Sequence, residues 1–249
     1  MKEERYDKIL EILEEEKFIS VQSLSEKLYV SLPTIRRDLG ELQRRNLVVR
    51  SHGGAKKVQG EHIVAPLNFR KTVHVNEKKR LCRAATGLIS DNDIVFIDAS
   101  TTTMQIAEFL GEKKMITVVT NGITLACHLV KKGIKTYCTG GEIFENSLAQ
   151  FGPFAEDFLR RFNFDLAIFS CHGVNEKGIL TDPSLPETQI RRTALQQAKK
   201  SVFLCDETKL NLSTPYNLIP IWEVDFAVTD TPLLRTYLPE GAKTKIIVV

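Results

Sequence analysis

The stretch Ser31-Leu-Pro-Thr-Ile-Arg-Arg-Asp-Leu-Gly-Glu-Leu-Gln-Arg-Arg45 decides the reading of this chain. Ile35, Leu39 and Leu42 recur at helical spacing and would face a core. Ser31 can cap the helix start, and Pro33 is tolerated because the first turn needs no N–H there. Thr34, Arg36 and Arg37 then project from the N-terminal end, on the side away from that core. A helix with an apolar back and a basic start suits the major groove of DNA, where its first residues meet base edges and phosphates.

The neighbouring sequence supplies a frame for such a helix. Residues 3–16 carry Tyr6, Ile9, Leu10 and Leu13 at helical spacing among charged neighbours, which predicts an amphipathic first helix. Phe18-Ile-Ser-Val21 reads as a short strand, and Ser20 can cap a second helix that uses Leu24 and Leu28. After the third helix, Asn46-Leu-Val-Val-Arg50 reads as a strand and Ser51-His-Gly-Gly-Ala55 as a turn before another. Helix, strand, helix, helix and hairpin is the winged helix-turn-helix order. The hairpin would be the wing, with Arg50, His52, Lys56 and Lys57 near phosphates or the minor groove. From Ser31 to Gln59 there are seven basic residues against two acidic, a surplus of five in a chain of net charge +3. That asymmetry is the footprint of a nucleic-acid-binding end, although a solvated charged face would read alike.

The 249 residues suffice for a small and a medium domain. Residues 1–57 read as the DNA-binding domain, 58–75 as a linker of mixed Gly, Pro, His and charged residues, and 76–249 as a larger domain. Asn76 starts a helix with Leu81, Ala84, Ala85 and Leu88 on one face. Strands then follow at Ile94–Ile97, Ile116–Val119, Lys135–Cys138, Leu166–Phe169, Val202–Cys205, Phe226–Val228 and Ile246–Val249. Helices are expected at Met104–Leu110, Ile123–Lys132, Pro153–Arg161 and Glu187–Lys199. Short apolar strands separated by helices predict an α/β domain with a mostly parallel sheet. The fold class is thus a small α+β winged helix-turn-helix domain followed by that larger α/β domain.

Ligands of such sheets bind beyond the carboxyl ends of the strands, and polar clusters fall there. Asp98-Ala-Ser-Thr-Thr-Thr103 offers hydroxyls at a helix start, a pattern suited to phosphate. Thr120-Asn121, Gly140-Gly141, Cys171-His-Gly173 and Asp206-Glu-Thr-Lys209 each follow a strand. Asp182 and Glu187 precede the helix that carries Arg191 and Arg192. Each cluster has an ordinary alternative: a cap, a turn or a solvated arginine. Their common position points to a small anionic ligand.

Five scattered cysteines without a C-x-x-C pair, a charged opening segment and no long apolar run predict a cytoplasmic protein with reduced thiols and no membrane partner. Cys138, Cys171 and Cys205 lie in or beside apolar runs, so a structural role is expected. Trp222 is expected in the core, and His128 at the surface. His52, His62, His74, His128 and His172 lack metal-ligand spacing, and no P-loop, G-x-S-x-G or G-x-G-x-x-G motif is present, so neither metal nor cofactor is expected.

Val30 to Leu39, followed by Leu47 to Ala55, closely resembles the signature of the DeoR family of transcription regulators. The resemblance continues through Asp98–Thr103, Thr120-Asn121, Gly140-Gly141, Phe151-Gly-Pro153, Asp182 to Arg192 and Leu204 to Lys209. It implies a sensor domain similar to ribose-5-phosphate isomerase, joined to a winged helix-turn-helix. It also implies a repressor of a sugar-catabolism operon, relieved by a phosphorylated sugar. By the same resemblance, the phosphate would lie against Ser100, Thr101, Thr102 and Thr103 with Lys209 beside it. Asn121, Gly141, Asp182, Glu187 and Arg191 would face the sugar, with Asp98 in the same ligand site. On the DNA side Ser31, Thr34, Arg36 and Arg37 meet the groove, while Arg44, Arg45, Arg50, His52, Lys56 and Lys57 mostly touch phosphates. The expected partners are double-stranded operator DNA, a phosphorylated sugar effector and further copies of the chain, as dimer or tetramer. Two residues depart from the family pattern: Ser100 stands where Gly is usual, and Arg191 where Lys is common. The competing readings are an active sugar-phosphate isomerase or deaminase with Glu187 as base, and a DNA binder with a vestigial sensor.

Overall fold

The computed structural model describes residues 2–16, 18–44, 47–51, 54–57 and 67–249. The chain divides into two compact units, Met1–Ala65 and Pro66–Val249.

In the first unit, helix α1 (Lys2–Glu16), strand β1 (Ile19–Ser20), helices α2 (Val21–Leu28) and α3 (Leu32–Arg44) and strands β2 (Val48–Ser51) and β3 (Gly54–Lys57) follow in order. Tyr6, Ile9 and Leu13 of α1, Leu24 of α2, and Ile35, Leu39 and Leu42 of α3 meet in one buried cluster, closed by Ile19, Val48 and Ala55. The helical spacing of the apolar residues thus became the packed face. Ser20 caps α2 by accepting the Ser23 N–H at 2.9 Å. Tyr29 ends α2 in the left-handed region at φ 54°, with its ring 96% exposed. The three strands form an antiparallel sheet in the order β1-β3-β2. Gly54 permits this pairing, since a Cβ there would lie 2.4 Å from the Ile19 carbonyl oxygen. Phe18, read as part of the first strand, stays outside it and is exposed.

In the second unit, helices α4 (Leu67–Arg70) and α5 (Val75–Thr86) lead to strands β4 (Ile94–Ile97) and β5 (Thr117–Thr120), helix α6 (Ile123–Lys131) and strand β6 (Lys135–Cys138). A hairpin of β7 (Glu142–Phe144) and β8 (Ala149–Phe151) precedes α7 (Pro153–Leu159) and β9 (Phe164–Phe169). Strands β10 (Gly173–Val174) and β11 (Ile179–Asp182), helix α8 (Leu185–Gln196), and strands β12 (Ala198–Cys205), β13 (Tyr216–Pro220), β14 (Phe226–Thr229) and β15 (Lys245–Val248) complete it. Seven strands form one parallel sheet in the order β15-β14-β12-β9-β4-β5-β6.

Alternate side chains leave this sheet on opposite faces. Val95, Ile97, Val118, Ile168 and Leu204 pack with Leu81, Cys82 and Ala85 of α5. Phe96, Val119 and Ala167 pack on the other face with Leu159 of α7 and Ile190 of α8. Burial on both faces explains why these strands read as continuous apolar runs.

Several elements differ from their sequence reading. Residues 103–108 and 110–112 form 3-10 turns where an α-helix over Met104–Leu110 was expected. The Thr103 hydroxyl there donates to Asp98, a local bond that competes with regular helix. Helix α8 starts at Leu185 after the Ser184 cap and stops at Gln196, so Lys199 already belongs to β12. Helix α4 falls in the stretch read as linker. Cys171 and Cys205 are buried, but Cys138 is exposed because β6 is an edge strand. Trp222 is only half-buried, against the cluster around Ile221, and His128 is exposed.

Candidate functional site

On the first unit, Ser31, Arg36 and Arg37 are exposed at the start of α3, and Thr34 is half-buried. The Ser31 and Thr34 hydroxyls share a 3.0 Å hydrogen bond. Arg44 is exposed and paired with Glu41. Arg50 of β2 places its guanidinium against α3, 3.9 Å from where a Gly40 Cβ would stand. Lys56 lies half-buried on β3. Arg45, His52 and the Lys57 side chain lie outside the described residues. Between the exposed arginines and the core sits Asp38, fully buried. Arg5 of α1 holds it with a fork, Nε at 2.5 Å and Nη2 at 3.2 Å. The helix that presents Arg36 and Arg37 is therefore fixed to α1 by an ion pair as well as by Ile35 and Leu39.

On the second unit, the ends of β4, β9 and β12, with β11 and α8 beside them, assemble a polar cluster. Arg191, 7% exposed, is its centre. Its guanidinium meets Asp98 at 2.8 Å, Asp182 at 2.7 Å and Glu187 at 3.5 Å. Burial opposes the charge of Arg191, but these carboxylates outweigh it and its pKa is raised. Asp98 also orders the following loop, accepting from Ser100 N at 3.3 Å and from the Thr103 hydroxyl at 2.8 Å. Ser100 Oγ accepts the Thr103 N–H at 3.1 Å. Its φ is not positive, so the loop does not need the glycine usual there. The Thr103 hydroxyl is fully buried in these bonds and acts as a support of the loop. Asp182 accepts the His172 N–H at 3.2 Å, which ties the end of β9 to the same cluster.

Lys209, in the 3-10 turn Glu207–Lys209 after β12, reaches this loop. Its Nζ donates to Ser170 Oγ at 2.5 Å, to the Cys171 carbonyl at 2.9 Å and to Thr102 Oγ1 at 3.4 Å. Asn121 and Gly141 stand at the ends of β5 and β6 and engage β8 instead of the Arg191 cluster. Asn121 donates to the Gln150 carbonyl at 3.3 Å, while its buried Oδ1 accepts no hydrogen bond among the described residues. Gly141, at φ 102°, lets the chain pass β8 so closely that a Cβ would lie 2.4 Å from the Phe151 carbonyl oxygen.

Residues 5–61 match the DeoR-like helix-turn-helix domain, and residues 73–231 match the DeoR C-terminal sensor domain. The chain belongs to the DeoR family of transcription regulators. Among its relatives, transcriptional repressor AccR of Agrobacterium fabrum is 30% identical over 99% of this chain and 97% of that protein. The regulator GlpR of Haloferax volcanii is 33% identical over 92% of this chain and 90% of its own length. The glycerol-3-phosphate regulon repressor of Escherichia coli is 30% identical over 92% and 91%. A D-ribose-5-phosphate isomerase in complex with phospho-erythronic acid is a distant structural likeness, 17% identical over 53% of this chain and 52% of that one with a TM-score of 0.41. Likeness at that level fixes neither activity nor ligand.

In this DeoR-family chain the polar cluster includes two residues that the sequence did not single out, Lys78 and Ser170, beside His172 of the Cys171-His-Gly173 stretch. Lys78 of α5 is 5% exposed and donates to Thr101 Oγ1 at 3.3 Å. Ser170 passes the Lys209 contact on to the Leu204 carbonyl at 2.6 Å. Burial, with Lys209, Arg70 and Arg191 nearby, pushes His172 down to about 4, so its imidazole is neutral at pH 7. Lys78 sits in the charged run Asn76-Glu-Lys-Lys-Arg80, where nothing marks one lysine as buried. The available signal was its spacing from Leu81 and Cys82, which puts it on their helix face.

Proposed function

We propose that this DeoR-family regulator represses a sugar-catabolism operon and is released from its operator by a phosphorylated sugar bound at the carboxyl ends of the sensor strands. The observation that carries this reading is the pairing of two chemistries at one sheet edge. Lys209 bonds the Thr102 hydroxyl in a Ser/Thr loop, a setting for phosphate. Beside it Arg191 joins Asp98, Asp182 and Glu187, acceptors suited to sugar hydroxyls. The unsatisfied buried Oδ1 of Asn121 asks for a donor, which a hydroxyl supplies. In this reading the phosphate meets Ser100, Thr101 and Thr102 beside Lys209, on a loop braced by Thr103. The sugar faces Asn121, Gly141, Asp182, Glu187 and Arg191.

On the DNA side, Thr34, Arg36 and Arg37 read bases in the major groove with Ser31 at the helix entry. Arg44, Arg45, Arg50, His52, Lys56 and Lys57 bind phosphates, which position the protein without reading sequence. Residues 1–57 form the reading domain, 58–75 the connection and 76–249 the sensor domain. Two or four copies present paired reading helices to paired half-sites, and the protein works in the cytoplasm, where its operator is. Among the described residues, no helix is long and apolar enough to cross a membrane.

The sensor works by binding and not by turnover. Glu187, the candidate base of an isomerase, is turned toward the Arg191 guanidinium at 3.5 Å, where it serves as one partner of that buried cation. The test is operator binding by the full chain, titrated with a panel of phosphorylated sugars. One member should weaken binding at least tenfold and be recovered unchanged. A panel without effect would leave a DNA binder with a vestigial sensor, and conversion of ribose-5-phosphate or glucosamine-6-phosphate would make the sensor an enzyme.

A further inference from the structure

Lys78 of α5 and Lys209 of the turn after β12 reach the same loop and end on neighbouring threonines. Lys78 Nζ donates to Thr101 Oγ1 at 3.3 Å, and Lys209 Nζ to Thr102 Oγ1 at 3.4 Å. Their remaining partners are neutral: the Arg70 carbonyl at 2.6 Å for Lys78, and Ser170 Oγ and the Cys171 carbonyl for Lys209. Among the described residues neither lysine has a carboxylate at ion-pair distance, whereas Arg191 close by has three. Two ammonium groups near each other, with no carboxylate at ion-pair distance and Asp206 only partly offsetting them, are an unfavourable arrangement that a bound dianion relieves. The hydroxyl hydrogens of Thr101 and Thr102 have no acceptor among the described residues, so both can donate to that dianion.

Lys78 has a second attachment. The carbonyl it bonds belongs to Arg70, the last residue of α4. The Arg70 guanidinium in turn donates to the Asn146 carbonyl at 3.0 Å, in the turn between β7 and β8. Helix α4 is thus tied to Lys78 through its main chain and to the β7–β8 turn through its side chain. It is also the first element of the sensor unit, starting at Leu67 where the DNA-binding unit ends at Ala65.

We propose that Lys78 and Lys209 together clamp the phosphate monoester of the effector, and that the Lys78 bond to α4 carries occupancy of the clamp toward the DNA-binding unit. This rests on the sugar-phosphate reading of the site. An anion competes for the Nζ donors of Lys78 and resets its bond to Arg70. The end of α4 then moves or tightens, and with it the point where the chain leaves the sensor.

The clamp has a pH signature. Burial, reinforced by Lys209, pushes Lys78 down to about 8. Asp206 works in the opposite sense, and Arg70 in the same sense as Lys209. Below pH 8 Lys78 is already charged in the free protein. Above it, binding of an anion must take up a proton, so affinity falls by up to roughly tenfold per pH unit.

The experiment is titration of the purified full chain with inorganic phosphate, read by calorimetry and by amide exchange of residues 67–71. The wild type should bind, lose affinity above pH 8 and change exchange in that segment. Lys78→Met should weaken binding at least tenfold, remove the decline above pH 8 and abolish the exchange response. If Lys209→Met weakens binding while Lys78→Met binds as the wild type does, this inference fails and the site reading stands. Absence of phosphate binding by the wild type overturns both. Binding with unaltered exchange at residues 67–71 overturns the transmission through α4. Should Lys78→Met not fold, Lys78→Gln and the wild-type pH profile decide the same question.

Discussion

The candidate DNA-reading residues of this chain come from one helix and the hairpin after it, and Arg36, Arg37 and Arg44 stand in solvent. The polar cluster of the second unit gathers Lys78, Asp98, Arg191 and Lys209 from four separate elements and buries most of what it gathers. Exposed cations are already solvated and wait for phosphates with little penalty, so their contribution appears on binding and fades with salt. Buried charges must be neutralised within the fold or by a ligand, so their loss appears first as instability. The contrast assigns different readouts to the two regions, and each can be tested by substitution.

The largest effect is expected at Arg191. Replacing it with Met leaves Asp98 and Asp182 buried without their cation, which should destabilise the sensor unit by about 3–5 kcal/mol in urea unfolding. A loss under about 1 kcal/mol would show that the carboxylates find other partners, and the contrast would weaken. Arg5→Ala tests the one buried ion pair described on the DNA side. It strands Asp38, but Arg5 is itself 22% exposed, so a cost of about 2 kcal/mol is expected, with thermal unfolding as the check. Exposed residues should behave otherwise. Arg36→Ala should leave stability unchanged, lower operator affinity by about 1–3 kcal/mol and relax specificity at one base position. Lys56→Ala should weaken binding to all sequences and reduce the salt slope by about one. Equal losses on specific and random DNA for Arg36→Ala would move base reading elsewhere. The smallest effect concerns the turn between α2 and α3. Tyr29 holds a left-handed backbone with its ring exposed, so Tyr29→Gly should stabilise the unit by about 0.5–1 kcal/mol in thermal unfolding.

The same contrast explains what could be read from the sequence. The first unit is local: the spacing of Ile35, Leu39 and Leu42 defined its reading helix, and Ser20 marked a helix start that the structure retains. The parallel strands were legible because burial on both faces makes each an apolar run, and their carboxyl ends located Asp98, Asn121 and Lys209. Strands Glu142–Phe144, Ile179–Asp182 and Tyr216–Pro220 carried no such run. They pair antiparallel outside the main sheet, and each mixes polar with apolar residues. The family resemblance placed Asp98, Asp182, Glu187 and Arg191 in one site, but the ion pairs among them were not legible, because Asp98 and Arg191 are 93 residues apart in sequence. Helix α4 is too short for periodicity to show, and Lys78 was hidden by its charged neighbours.

The central claim is that the buried anion site governs the exposed reading surface. The most direct measurement is operator affinity of the wild type and of Lys209→Met, side by side, against the same panel of phosphorylated sugars. The account predicts equal operator affinity without effector, a tenfold or greater loss for the wild type with one sugar phosphate, and no response from Lys209→Met. A Lys209→Met protein that releases the operator at the same concentration as the wild type would contradict it.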